Sequence, residues 1–117
     1  MADSQPGATD LLAGVIDYLE KELLPTLEGR HRFHVRVAAN VLAIVKRELE
    51  LGPAAAAAER ERLKAMLGQD GTADALNREL ARRIRAGEIA DHAALVEHLR
   101  HSIGAALAIN NPKWTRE

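Results

Sequence analysis

Two histidine pairs are the first place in this chain where chemistry could reside. His31-x-x-His34 and His98-x-x-His101 each set two imidazoles about one helical turn apart, and Glu28 precedes His31 by three residues. Glu-x-x-His is the spacing of carboxylate-bridged di-metal bundles, but those sites need two such motifs and two further inward glutamates. Glu28 stands just before its helix, and His101 lies among Glu97, Arg100 and Ser102 on a polar side. The pairs are therefore expected to be surface or capping histidines, with no metal and no other cofactor.

Arginines come next. Arg78, Arg82 and Arg85 share one face of a predicted helix, with Arg83 nearby, and Arg30, Arg32 and Arg36 line the start of another. Guanidinium groups can hold phosphates through paired donors. Interspersed acids such as Glu48, Glu79 and Glu88 can answer them instead. A net charge of −1 and an aromatic content of 3% supply neither a global field nor a stacking platform for nucleic acid. No nucleic-acid partner is expected.

The amides form a third group. Asn40 borders the apolar arc of its helix, Asn77 adjoins Leu76 and Leu80, and Asn110 and Asn111 close the last predicted helix. Buried amides must be hydrogen-bonded and often fix helix register, which gives a structural polar network as the plain reading. The sharper reading makes Arg36, Asn40, Asn110 and Asn111 ligand-binding residues, the wall of a pocket for a phosphate- or CoA-bearing molecule. No Ser or Thr sits in a Gly-rich elbow, and no P-loop or dinucleotide fingerprint occurs. No catalytic residue is assigned, and the expectation leans against an enzyme.

The elements that would position these residues are helices. Residues 29–51 carry the densest apolar content, covering an arc of roughly 200°, where an ordinary surface helix shows a stripe of roughly 100°. That segment should be the central long helix of a five-helix bundle, with neighbours on most sides. Before it, Thr9 or Asp10 can cap a helix with Leu11, Leu12, Val15, Ile16, Leu19, Leu23 and Leu24, which ends or kinks at Pro25. After it, Gly52-Pro53 reads as a boundary. The alanines at 54–58 then open a third helix, docked mainly by its C-terminal end through Leu63, Met66 and Leu67. Gly68 and Gly71 bracket a turn, with Asp70 or Thr72 as the next cap. Leu76, Leu80 and Ile84 stripe a fourth helix that stops at Gly87. Asp91 caps a fifth, ended by Pro112.

The whole is all-α, because an Ala-rich, aromatic-poor chain favours close-packed helices over sheets. At 117 residues the expectation is a flexible N-terminal arm (1–8), a single helical domain (9–112) and a C-terminal tail (113–117). There is no cysteine, so disulfides and thiol chemistry are excluded. The opening residues lack a signal-peptide pattern and no apolar run approaches a membrane span. A soluble cytoplasmic protein with no membrane partner is expected.

The segments ELLPTLEGRHRFHVRVAANVLAIVKRELELGP, LNRELARRIRAGE and ALAINNPKW resemble a bacterial family of small all-helical proteins of unknown function. Its members are often encoded beside aminoglycoside-phosphotransferase-like kinases and acyl-CoA dehydrogenases. The resemblance covers Asp10 to about Trp114 and implies an accessory role near such enzymes, with no catalytic residue to carry over. The expected function is that of a non-enzymatic accessory or interaction partner of a kinase-like or acyl-CoA-processing enzyme. A ligand-binding or catalytic bundle using the Arg36/Asn40 region is the other reading. If five helices leave part of the central helix uncovered, a homodimer should form through helix one and the end of helix three, or a heterodimer with the enzyme.

Overall fold

A computed structural model describes residues 7–115 of the chain. The expected arm therefore lies outside the described residues except for Gly7 and Ala8, and so do the last two residues of the expected tail. Among the described residues there are helices and no strand: α1 (Ala8–Asp17), α2 (Gly29–Leu67), α3 (Ala73–Ala86) and α4 (His92–Asn110). A short 3-10 turn, Pro112–Thr115, follows α4. The all-α class is as expected, but there are four α-helices rather than five.

The difference lies at Gly52-Pro53, where α2 continues instead of ending. A proline inside a helix removes one ladder bond and crowds the carbonyl four residues back. It also pushes the preceding residue out of helical space by a clash with that residue's Cβ. Gly52 has no Cβ, which eases the second effect. The alanines at 54–58 then propagate the helix with the best intrinsic propensity available. The chain divides into two compact units, Met1–Leu51 and Gly52–Glu117, each packed mainly within itself.

In the first unit, Gly7 rather than Thr9 or Asp10 precedes the first helical residue. The Asp10 carboxylate accepts the Gly7 N–H at 3.3 Å. After Asp17 the helix widens into a π-helical turn, Tyr18–Leu23, where the Leu24 N–H reaches the Leu19 carbonyl. It then tightens into a 3-10 turn, Leu24–Thr26, and stops. The change of winding surrounds Pro25, which has no N–H with which to keep a regular ladder. Gly29, at φ +61°, turns the chain into α2. Arg32 Nη1 donates to the Leu24 and Leu27 carbonyls at 3.0 and 3.4 Å, tying the connection to α2. Ala13, Ile16 and Glu20 line one groove together with Ala43, Lys46 and Arg47, and the short connection through residues 24–28 makes the pair an antiparallel hairpin.

The second unit holds a core of buried leucines. Leu63 and Leu67 of α2 pack with Leu76 and Leu80 of α3, and Met66, Ile89 and Leu95 close around them. The expected docking of the third predicted helix by its C-terminal end is this contact. Thr72 caps α3 by accepting the Ala75 N–H at 3.1 Å. Gly87, at φ +70°, ends it, with the Gly87 and Glu88 N–H groups reaching the Ile84 and Arg83 carbonyls. Asp91 caps α4 through the Ala94 N–H at 3.0 Å. Arg60 holds the α2–α3 turn, donating to the Gly71 carbonyl and to Asp70, both at 2.8 Å. Asp70 also accepts the Gly71 N–H. That bond, with the Lys64 ammonium, lowers its pKa.

The apolar arc of residues 29–51 is not enclosed as expected. Ala39 is buried and Val35, Leu42 and Ile44 are half-buried, but Phe33, Val37, Val41, Val45 and Leu49 are all exposed.

Candidate functional site

The second unit contains a continuous polar chain between α2 and α4. Glu59 and Arg62 lie on one face of α2, three apart, and His98 and Ser102 on one face of α4, four apart. Ser102 donates its hydroxyl proton to Glu59 Oε2 at 3.1 Å and accepts from Arg62 Nη2 at 3.2 Å. Arg62 Nε donates to His98 Nδ1 at 3.2 Å. Arginine is always a donor, so His98 Nδ1 must carry a lone pair and the imidazole is neutral, its proton on Nε2. Burial and then the neighbouring Arg62 charge lower its pKa.

His98 is thus buried, only 3% exposed, and not the surface or capping residue expected from the sequence. It forms one wall of an open groove of about 540 Å³ with Arg62, Met66, Asp91, Glu97 and His101. The arrangement limits the chemistry. With Nδ1 committed to Arg62, His98 offers the groove a donor, not a base. Ser102 gives its proton to Glu59 and lies beside a guanidinium, an environment that does not make a nucleophile. What the chain does directly is lock α2 to α4 in one register.

His31 and His34 are exposed on α2. Among the described residues no group of three or more His, Asp or Glu is placed to hold a metal ion. Three of the four arginines of α3, all but Arg85, are answered by acids. Arg82 pairs with Glu79 at 2.8 Å and Glu88 at 3.0 Å, Arg83 with Glu79 at 2.7 Å, and Arg78 with Asp74 at 2.8 Å. Hydrogen bonds from Arg82 and then Arg83 bring the Glu79 pKa down to about 2.

Arg36 and Asn40 are one turn apart on an exposed face of α2 in the first unit. Asn110 and Asn111 close α4 in the second, where the Asn111 N–H donates to the Leu107 carbonyl at 2.7 Å. Asn40, Asn77 and Asn110 are exposed, so the expected buried amide network is not what these residues form. The polar network that exists uses Glu59, Arg62, His98 and Ser102. Sequence reading missed it because its members lie on helices far apart in the chain. The available signal was the matched spacing of polar residues beside the leucine stripe of each helix.

The first unit presents a different kind of surface. On α1, Leu11 and Val15 with the following Tyr18 form an exposed row, set about 110° from the packed row of Leu12 and Ile16. On α2, Val41 and Val45 are displaced by about 110° in the same sense from the packed row of Val35, Ala39, Leu42 and Lys46. In an antiparallel hairpin, equal rotations in each helix's own frame bring both rows onto one face. Phe33, Val37 and Leu49 extend the α2 row along its i, i+4 ridge. The opposite face carries the groove lined by Asp17, Glu20, Lys46 and Arg47. The hairpin therefore has one polar side and one dominated by apolar rows, with the exposed His34 and Glu48 among them, each one heptad from Val41. In the second unit, Val96, Leu99 and Ile103 form a shorter exposed row on α4.

No helix among the described residues is long and apolar enough to cross a membrane. No curated protein and no solved structure gave a match to the chain. Residues 25–114, which take in α2, α3, α4 and the polar chain between them, match a family model described as a domain of unknown function, DUF6285, and the chain belongs to that family.

Proposed function

We propose that this protein is a non-enzymatic interaction protein, an accessory to a kinase-like or acyl-CoA-processing enzyme. The observation that supports this reading is the placement of large apolar side chains. Rows that could have been buried stand at the surface of both units, while the most enclosed polar chain is committed to internal bonds. Apolar rows of this extent on a soluble chain mark association surfaces. The choice of enzyme class comes from the gene neighbourhood of the proteins that the sequence resembles. The α4 row suits an enzyme surface because it is short and flanked by the charged Glu97 and Arg100, giving an apolar centre with a polar rim. Immobilised protein should capture the purified neighbouring enzyme at micromolar concentration, and the Leu99→Glu/Ile103→Glu variant should not. No capture by the unaltered protein would contradict the reading.

A second reading, a small phosphate- or CoA-bearing ligand, draws support from the groove beside His98, where a cation and a neutral imidazole donor meet. The Arg36/Asn40 surface is the other place proposed for it. Calorimetric titration with CoA, acyl-CoA and nucleotides tests both. His98→Gln would weaken binding at the groove, and Arg36→Ala would weaken it at the helix surface.

A further inference from the structure

We propose that the apolar face of the α1/α2 hairpin is covered by a second copy of this chain, forming a two-fold dimer whose centre is a four-helix bundle. The proposal rests on reading that face as an interaction surface, and it names the partner.

The first argument is area. Leu11, Val15, Tyr18 and the α2 row from Phe33 to Leu49 are each between 43% and 61% exposed. Together they present roughly 700 Å², hence roughly 1,400 Å² across two copies, above the roughly 1,000 Å² expected of a biological interface. A lone hairpin is also the wrong unit on which to leave such a face, because two helices enclose no core. Two hairpins stacked face to face enclose one.

The second argument is symmetry. A two-fold axis parallel to the helices places α1 of each copy beside α2 of the other, so every neighbouring pair in the bundle is antiparallel. A two-fold interface must be self-complementary, and the two apolar rows, one on each helix of the hairpin, satisfy that in shape.

The test is sedimentation equilibrium of the full chain at micromolar concentration, beside the Val41→Glu/Val45→Glu variant. Both sites are exposed, so the variant should keep its helical circular dichroism. The unaltered protein should show twice the 12.7 kDa chain mass, and the variant the single mass. A monomeric unaltered protein overturns the proposal without reference to any variant. A dimer that survives the double substitution overturns it too, because the contact then lies elsewhere. Capture of the neighbouring enzyme by the same variant reports separately on the accessory reading, so the two can fail independently.

Discussion

His98 is the residue at which burial, charge and register meet. Its imidazole can accept from Arg62 only while neutral, and its folded pKa is lowered. Unfolded, the side chain titrates at about 6.5. Between the lowered folded pKa and about 6.5 the unfolded chain binds more protons. The contribution of His98 to stability is therefore fully present above about pH 6.5 and is lost as pH falls below it. Urea unfolding at pH 7.5 and 5.5 should show lower stability at the acidic value, and His98→Leu should remove that contribution to the slope. At pH 7.5 the same substitution should cost about 1–3 kcal/mol, because it strips Arg62 of a part-buried acceptor. A variant as stable as the parent would mean that the Arg62–His98 bond does not join the helices in solution. None of this was legible from residues 98–101, since spacing shows which face a histidine occupies but not what covers that face. The caps of α3 and α4 were more legible, whereas at α1 Gly7 stands where Thr9 or Asp10 was expected. Thr72 and Asp91 act as expected, because a cap is a contact within one turn.

At the scale of elements, the misread boundary and the misplaced core have separate causes. Gly-Pro usually separates helices, but here the missing Cβ of Gly52 and the alanines behind Pro53 let the helix continue. In a helix that runs through Gly52-Pro53, Pro53→Ala restores a backbone donor toward the Leu49 carbonyl and removes a clash. It should raise stability by about 1–3 kcal/mol. A lower melting temperature would contradict a helix that runs through Pro53. The core was sought where apolar content is densest, in residues 29–51. It lies instead between α2 and α3, where fewer leucines meet each other completely. Leu76→Ala should cost about 2–5 kcal/mol, and Ile44→Ala less, since Ile44 is only half-buried. Equal losses at the two sites would contradict the placement of the core. Gly87→Ala forces a side chain into the left-handed region at φ +70° and should cost about 1 kcal/mol.

For the whole molecule, the same apolar density takes on a second meaning. A helix that is apolar over roughly 200° expects neighbours on most sides, and the hairpin supplies only one. The demand for neighbours could be read from the sequence. Their absence within the hairpin could not, because it depends on which faces of α1 and α2 meet. The proposed dimer answers that demand with a second hairpin, and its central claim is that the face is covered only when two copies meet. The chain has no cysteine, so a single Val41→Cys thiol reports on that face alone. Its rate of modification by a thiol reagent should be slow at tens of micromolar and rise toward that of an exposed thiol on dilution to nanomolar. A rate that is fast at every concentration, or slow at every concentration, would contradict the account.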